Sequence, residues 1–236
     1  MDLEALTRRV ADEVRPYTMA HPDSLALTVA IVIDAVERDV EGDVVECGTW
    51  LGGVSFASLL AQRYAFGRVV KPVWMFDSFA GLPAAEPRDG LAAAAWQSDT
   101  ASPTYYDNCT APLEKVKAIA AEFGFSESEA VIVPGWFDQT LPAFGDKLAE
   151  RKIAALRIDC DWYAPVRCVL DQLAGFVVDE GRIIIDDYFA WDGCARAVHD
   201  YLSDNDLPWR IRSIGRGDDV GAWMIKRTHR AQDQSS

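Results

Sequence analysis

The feature that most restricts the fold of this chain is the alternation of short apolar segments with longer helix-forming segments. Five of the apolar segments are predicted to be strands: residues 44–47, 73–76, 130–133, 153–158 and 182–185. Strands that are apolar along their whole length are typical of a parallel sheet that is covered on both faces. We therefore expect an α/β fold with a mostly parallel central sheet and helices on both faces, closed by strands near residues 209–214 and 222–226.

The segments between these strands predict helices near residues 25–37, 54–64, 113–123, 142–150, 166–176 and 194–205. Asp23 or Ser24 is expected to cap the first of them. Residues 1–22 are charged and helix-prone, whereas residues 84–112 combine prolines, alanines and small polar residues and are predicted to be irregular. A loop of that length inside a compact domain is usually functional or disordered. Neither repeats nor an interdomain linker are evident, so we expect residues 1–236 to form a single domain.

Composition and charge restrict the partners that this chain can have. The formal net charge is −14, from 37 acidic and 23 basic residues. A strongly negative protein repels nucleic acid and anionic membranes, so we expect a small-molecule partner and no nucleic acid. Five cysteines without a CxxC pair and only three histidines argue against a zinc site and fit reduced thiols in a cytoplasmic protein. The apolar segment 25–35 is short and contains Asp34, which excludes it as a membrane span.

A glycine-containing turn follows the first predicted strand, where ligands of open α/β sheets bind. It begins at Glu46 and contains Gly48 and Gly52. A dinucleotide fingerprint beginning at Gly48 would need glycine at the position of Trp50, which disfavours a nicotinamide oxidoreductase. The observed pattern, an acidic residue followed by two glycines four residues apart, fits S-adenosylmethionine, whose cationic sulfonium needs no phosphate cradle. A plain tight turn is the alternative explanation of this segment alone.

Residues after the next two strands extend the same predicted site. Asp77 ends the second strand, where its carboxylate can accept hydrogen bonds from both hydroxyls of a ribose. A helix cap is the simpler explanation of a lone aspartate at that position. Trp136 and Phe137 follow the third strand, and they are expected to pack either on an adenine ring or only on the protein core.

Aspartates that follow the fourth and fifth strands are the most informative feature of the sequence. Asp159 and Asp161 follow one strand, and Asp186 and Asp187 follow the other. In a parallel sheet these strand ends share one edge, where close carboxylates repel one another unless a cation lies between them. All-oxygen ligation selects a hard ion such as Mg²⁺, which would lower the pKa of a substrate hydroxyl. Asp159 or Asp161 could then act as the general base; helix capping by the aspartates, and His199 as the base, are the alternatives.

Longer motifs, of which DSFxGLP and GWFxxTLP are the most specific, occur in one order along the chain. They cover about residues 17–200 and comprise Tyr17–Met19, Gly42–Gly48, Phe76–Pro83, Gly135–Pro142, Leu156–Tyr163 and Ile185–Tyr188. On these motifs the chain resembles the macrocin- and novobiocin-type O-methyltransferases of actinobacterial natural-product biosynthesis. Members of that family methylate hydroxyls of deoxysugars attached to larger scaffolds.

The resemblance implies a class I methyltransferase fold of the Rossmann-like type, with S-adenosylmethionine and Mg²⁺ as cofactors. It implies Asp159, Asp186 and Asp187 as metal ligands. Cofactor contacts are then expected at Glu46, Gly48, Thr49, Gly52, Ser55, Asp77, Ser78, Trp136 and Phe137. Residues 1–22 would form an N-terminal helical lid and residues 84–112 an active-site lid loop, which would exclude water. A homodimer or larger homo-oligomer is also implied.

The chain departs from the family pattern after the fourth strand. The family continues DGDxYEST, whereas this chain has Asp159-Cys160-Asp161-Trp162-Tyr163-Ala164-Pro165-Val166 and so lacks the Glu, Ser and Thr. We therefore expect a drier and more aromatic pocket, and an acceptor less polar than a free sugar. The leading hypothesis is a metal-dependent O-methyltransferase acting on a deoxysugar hydroxyl. The alternatives are a catechol-like or other vicinal hydroxyl on a non-sugar acceptor, and a non-catalytic S-adenosylmethionine-binding protein.

Overall fold

The computed structural model describes residues 2–215 and 221–227, but not the side chains of residues 145–151. Its strands are Asp43–Cys47 (β1), Val73–Asp77 (β2), Ala130–Pro134 (β3), Ile153–Ile158 (β4), Val177–Ile185 (β5), Arg212–Ser213 (β6) and Ala222–Ile225 (β7). They form one mixed sheet with the order β3-β2-β1-β4-β5-β7-β6. β1 to β5 are parallel, whereas β7 is antiparallel to both β5 and β6. The prediction of a mostly parallel sheet is confirmed.

Helices pack on both faces of this sheet, as predicted. Their bounds are Leu3–Val14 (α1), Pro22–Glu37 (α2), Gly53–Phe66 (α3), Gly90–Ser98 (α4), Leu113–Glu122 (α5), Phe137–Arg151 (α6), Tyr163–Leu173 (α7) and Asp192–Asp204 (α8). One face is covered by α1, α2, α3 and α5, and the other by α6, α7 and α8. Within the described ranges, no helix has the length and apolar character needed to cross a membrane.

Side chains alternate between the two faces along the inner strands. In β1, Val44 packs into the core beneath α2 and α3, whereas Val45 and Cys47 pack into the core beneath α7 and α8. In β2, Met75 packs into the core beneath α2 and α3, and Phe76 packs into the core beneath α7 and α8. Both cores exclude water from apolar side chains, which stabilises the fold by about 25 cal/mol per Å² of buried apolar surface. This two-sided burial explains why the strands read as continuous apolar runs.

The register of the parallel strands aligns the residues that follow them. Cys47 in β1 is opposite Ile158 in β4, so both strands end in the same row. The N–H groups of Gly48, Asp159 and Asp186 donate to carbonyls of neighbouring strands at 2.8, 2.9 and 2.9 Å, which continues the ladder one residue beyond each strand. Gly48, Asp159 and Asp186 therefore lie side by side at the carboxyl edge of the sheet.

The start of α2 differs from the prediction. The helix begins at Pro22, and Nδ1 of His21 accepts a hydrogen bond from the Asp23 N–H at 3.2 Å. The prediction that Asp23 or Ser24 caps this helix was therefore wrong. Proline suits the first helical position because it has no N–H group that would need a partner. Ser24 is instead buried inside the first turn, and its hydroxyl donates to the Asp186 carboxylate.

The segment 84–112 contains more regular structure than predicted. Four consecutive alanines favour a helix and lie within α4. Further along the segment, residues Tyr106 to Cys109 form a turn in which every φ is positive, between 50° and 58°. Near the other end of the chain, only Arg212–Ser213 form a strand where residues 209–214 were expected to do so.

Candidate active site

The turn between β1 and α3 is held close to β4. Gly48 has a φ of +84°, and a Cβ at this position would lie 1.6 Å from the backbone oxygen of Asp159. Gly52 also has a φ of +84°, and a Cβ there would lie 2.6 Å from the ring of Phe56. Both positions require glycine for contacts within the protein, because an L-residue is strained at this φ and has no space for its side chain. The turn is thereby fixed against the strand that carries the first aspartate.

Asp77 fixes the same turn from the opposite side. Its Oδ2 accepts hydrogen bonds from the N–H groups of Thr49 and Trp50 at 2.7 and 2.8 Å, and its Oδ1 accepts one from Phe79 at 2.7 Å. Burial raises the pKa of Asp77, whereas these three backbone hydrogen bonds lower it. Trp50 has a φ of +47°, so the hydrogen bond to Asp77 holds it in a strained conformation. The sequence reasoning had considered Asp77 as a ribose ligand or a helix cap, and had not predicted that it supports this turn.

A first cleft of about 610 Å³ opens beside the turn. It brings together five of the residues predicted to contact the cofactor, namely Gly48, Asp77, Ser78, Trp136 and Phe137. Glu46 and Thr49 line a second, adjoining cleft. Gly52 and Ser55 line neither cleft; the buried Ser55 hydroxyl donates to the Glu46 carboxylate.

The second cleft, of about 710 Å³, is lined by acidic residues and shares part of its wall with the first. Residues common to both clefts are Met19, Trp50, Cys109, Asp159 and Asp161. Five carboxylates line the second cleft, those of Glu46, Asp159, Asp161, Asp186 and Asp187. Among the described residues that line either cleft, none is Lys, Arg or His. The two clefts therefore form a continuous and strongly negative site.

Arg157, in β4, lies beneath the carboxylates and was missed by the sequence reasoning. Its side chain is 2% exposed, and its NH1 lies 2.7 Å from Glu46 and 2.6 Å from Asp159. Its NH2 lies 2.6 Å from Asp186. An arginine inside an otherwise apolar strand was the available signal, because buried arginines are almost always paired. Asp159 and Asp186 are therefore ion-paired within the protein, whereas the sequence reasoning had considered only a bound cation between the aspartates.

Burial raises the pKa of several of these carboxyl groups. Desolvation raises the pKa of Glu46 to about 7 and that of Asp159 to about 6, although Arg157 lowers both. Desolvation and the nearby Asp159 charge raise the pKa of Asp161 to about 8. Desolvation, with the charge of Asp161, also raises the pKa of Asp187. One guanidinium therefore does not compensate all of these carboxyl groups, and a further cation would favour their charged forms.

The geometry of three aspartates fits such a cation. Asp159, Asp186 and Asp187 each place an oxygen within 4.8 Å of the other two. Arg157 pairs with Oδ2 of Asp159 and Oδ1 of Asp186, which leaves the second oxygen of each carboxylate for a ligand. Oxygens around one Mg²⁺ lie about 2.1 Å from the ion and hence about 3–4 Å apart. The mutual distances of the three oxygens, all within 4.8 Å, are therefore compatible with one shared ion.

Asp161 lies at the junction of the two clefts in a constrained conformation. Its φ is +55°, and its N–H donates to Oδ2 of Asp187 at 3.1 Å. The indole N–H of Trp191 donates to Oδ1 of Asp161 at 2.9 Å and orients the carboxylate. His199, the alternative base, is exposed, and its Nε2 lies 2.7 Å from the Tyr188 hydroxyl. It lines neither cleft.

Both segments predicted to be lids contribute to the wall of the second cleft. Four residues come from the stretch between α1 and α2: Tyr17, Thr18, Met19 and Ala20. Four others come from the segment 84–112: Trp96, Thr104, Tyr106 and Cys109. Gly53, at the start of α3, leaves space for the first stretch, because a Cβ there would lie 2.4 Å from the backbone oxygen of Tyr17.

Comparisons with known proteins show which proteins this chain is similar to. A family model described as Macrocin-O-methyltransferase (TylF) matches residues 5–226. The chain is 35% identical, over 162 residues, to 8-demethyl-8-(2,3-dimethoxy-alpha-L-rhamnosyl)-tetracenomycin-C 4'-O-methyltransferase of Streptomyces olivaceus; the match covers 69% of this chain and 58% of that protein. It is 30% identical over 189 residues to demethyldecarbamoylnovobiocin O-methyltransferase of Streptomyces niveus, covering 78% of this chain and 67% of that protein. The chain thus spans less than two thirds of the first of these relatives.

Solved structures show the same fold. The O-methyltransferase NovP has a TM-score of 0.74 at 27% identity and covers 90% of this chain and 83% of its own. The calicheamicin methyltransferase CalS11 has a TM-score of 0.63 at 20% identity, covering 94% of this chain and 91% of its own, and at that identity it shows the fold alone. The predicted class I methyltransferase fold is thereby confirmed.

Proposed function

Since this chain belongs to the macrocin O-methyltransferase (TylF) family, we propose that it transfers the methyl group of S-adenosylmethionine to a hydroxyl of a small-molecule acceptor with the help of a divalent cation. We place the acceptor hydroxyl on a deoxysugar of a glycosylated natural product. Two relatives carry names that specify a rhamnosyl tetracenomycin and a novobiocin precursor as their acceptors. Vicinal hydroxyls on a non-sugar ring are the second candidate, favoured by the aromatic residues in the second cleft.

The observation that carries the proposal is the position of the aspartates relative to the glycine turn. Oxygens of Asp159, Asp186 and Asp187 lie within 4.8 Å of one another, and Asp159 lines both clefts. A nucleoside in the first cleft and an acceptor in the second would therefore meet at the carboxylate cluster. A protein that only bound S-adenosylmethionine would not need this concentration of buried charge, which is costly without a cation.

The first cleft has the groups to hold S-adenosylmethionine, which supplies an electrophilic methyl group when it is bound. Trp136 is 37% exposed and, with Phe137, offers aromatic surface to the adenine. Asp77 accepts two hydrogen bonds at Oδ2 but only one at Oδ1, so Oδ1 keeps a lone pair for a ribose hydroxyl. Gly48 lines the same cleft, and its lack of a side chain lets the turn lie against the backbone of Asp159.

The second cleft has the groups to hold the cation and the acceptor. Asp159, Asp186 and Asp187 would supply its protein ligands, and the Ser24 hydroxyl fixes the orientation of Asp186. A divalent cation held there lowers the pKa of a hydroxyl that coordinates it. Asp161, oriented by Trp191, receives the hydroxyl proton while the acceptor oxygen forms its bond to the methyl carbon and the bond from that carbon to sulfur breaks. Asp159 is the alternative proton acceptor.

The test is methyl transfer from radiolabelled S-adenosylmethionine to a panel of deoxysugar glycosides and catechols, with Mg²⁺ and then with EDTA. We expect transfer to a glycoside that stops in EDTA and returns when Mg²⁺ is added in excess. Transfer that continues in EDTA would contradict the role of the cation. Cofactor binding without transfer to any acceptor would favour the non-catalytic binding protein.

A further inference from the structure

Three tryptophans form a cluster beside the carboxylates. Trp96 comes from α4, Trp162 precedes α7, and Trp191 precedes α8. The ring centroids of Trp162 and Trp191 are 5.0 Å apart, and Trp96 lies 6.0 Å from each of them, all in edge-to-face geometry. Such aromatic pairs hold one another in fixed orientations. The cluster is thus a rigid surface rather than three independent side chains.

Every indole N–H of this cluster already has a partner within the protein. Trp96 donates to the Thr104 carbonyl and Trp162 to the Pro83 carbonyl, both at 3.1 Å. Trp191 donates to Asp161 at 2.9 Å. The cluster therefore has no donor left for a ligand, and what it offers is the faces and edges of its rings.

Only two of the three rings reach the second cleft. Trp96 and Trp191 line it, whereas Trp162 is 1% exposed and supports them from behind. The lining of the cleft thus combines two tryptophan rings with five carboxylates, and it has no basic residue among its described members. An anionic acceptor would be repelled, whereas a neutral molecule with an apolar face would be held by stacking.

We propose that Trp96 and Trp191 form the acceptor-binding wall, and that they stack on the apolar face of a neutral six-membered ring that carries the hydroxyl to be methylated. This inference rests on the proposed function. The stacked ring must itself bear the reacting hydroxyl, because Trp191 is hydrogen-bonded to Asp161, the proposed base. A deoxyhexose with its C–H groups on one face and an aromatic vicinal diol share this chemistry.

The two tryptophans have different tasks. Trp96 contributes ring surface, and its indole N–H donates to the Thr104 carbonyl and not to the proposed base, so it acts on acceptor binding. Trp191 contributes ring surface and also orients Asp161, so it is a positioning residue as well. Substitutions that keep a ring but remove the N–H separate these tasks.

The experiment measures acceptor binding by calorimetry to the full chain loaded with S-adenosylhomocysteine and Mg²⁺. The probes are 4-nitrophenyl α-L-rhamnopyranoside and 4-methylcatechol, and binding of one probe alone identifies the kind of ring. We expect Trp96→Ala to weaken binding of the preferred probe by about tenfold and Trp96→Phe to restore most of it. Leu91→Ala is the matched control, because Leu91 lies on the same helix but is 90% exposed.

In steady-state transfer, Trp191→Phe should lower kcat about tenfold with little change in acceptor KM.

Several results would overturn the aromatic wall. One is a Trp96→Ala variant that binds S-adenosylhomocysteine normally and the probes as tightly as the unmodified chain. Equal losses in Trp96→Ala and Trp96→Phe would contradict stacking, and binding of neither probe to the unmodified chain would contradict the ring chemistry. A chain that binds a probe through Trp96 but transfers no methyl group would leave the wall in place and refute the proposed function.

Discussion

Arg157 determines how much negative charge the carboxylate cluster presents to a ligand. It is fully buried and contacts three carboxylates: those of Glu46 in β1, Asp159 after β4 and Asp186 after β5. The positive charge of Arg157 offsets part of the repulsion among these carboxylates, so folding does not require a metal ion to offset all of it. Arg157 alone does not balance all of the carboxylates, and one divalent ion would balance more of their charge.

Loss of Arg157 should destabilise the protein. We expect Arg157→Met to lower the free energy of unfolding by about 3 kcal/mol or more, because it leaves buried carboxylates without their partner. Urea denaturation followed by circular dichroism measures the change. Arg167→Met is the matched control: Arg167 pairs with Asp171 and Asp204 near the surface, where such pairs contribute at most about 1 kcal/mol. Equal losses in the two variants would contradict this role of Arg157.

The three aspartates should affect catalysis more than cofactor binding. Asp159→Asn, Asp186→Asn and Asp187→Asn are each expected to lower kcat at least about a hundredfold, since each removes a ligand of the cation. The dissociation constant of S-adenosylmethionine, measured by calorimetry, should change far less. Asp12→Asn, at a surface carboxylate that is 72% exposed, serves as the control. Full activity in any of the three variants would remove that residue from the site.

At the scale of elements, the turn between β1 and α3 depends on Asp77 as well as on its own glycines. Two of its N–H groups are bonded to that carboxylate, and Trp50 is strained. We expect Asp77→Ala to weaken S-adenosylmethionine binding about tenfold or more, because it frees the turn and removes the acceptor for the ribose. Calorimetric titration measures this, with Asp138→Ala, at another aspartate near Trp136, as the control. Unchanged affinity in Asp77→Ala would contradict the placement of the ribose.

Strands and their acidic ends were predictable from the sequence, because buried strands read as apolar runs and the aspartates follow them directly. The role of Arg157 was not predictable, since a strand residue gives no sign of which distant carboxylates it meets. The start of α2 was missed because both Asp23 and Ser24 are common helix caps, and the choice between them and His21 depends on Pro22. The Ser24 contact with Asp186 spans 162 residues and has no local signal.

At the scale of the whole molecule, the two clefts meet at Asp159 and Asp161, and residues of the segments 17–20 and 96–109 line the second. We expect these segments to act as lids that exclude water during transfer. Limited proteolysis measures this: S-adenosylhomocysteine with Mg²⁺ and an acceptor should protect both segments. Cleavage at the same rate with and without ligands would contradict a lid.

The acceptor was the least predictable feature, because it depends on how rings from distant segments pack. Trp162 follows Asp161 directly, and its presence predicted an aromatic pocket. Its partners Trp96 and Trp191 are brought to it only by the fold. Family motifs likewise predicted the cofactor and the metal ligands but not this wall.

The central claim, that three aspartates hold one divalent cation beside the methyl donor, is tested most directly by Mn²⁺ binding. Electron paramagnetic resonance titration of the chain with S-adenosylhomocysteine measures free Mn²⁺ and therefore the number of bound ions. We predict one tightly bound Mn²⁺ per chain, displaced by Mg²⁺, retained in Asp12→Asn and lost or greatly weakened in Asp187→Asn. No bound Mn²⁺, or Mn²⁺ bound by Asp159→Asn, Asp186→Asn and Asp187→Asn as tightly as by the unmodified chain, would contradict the account.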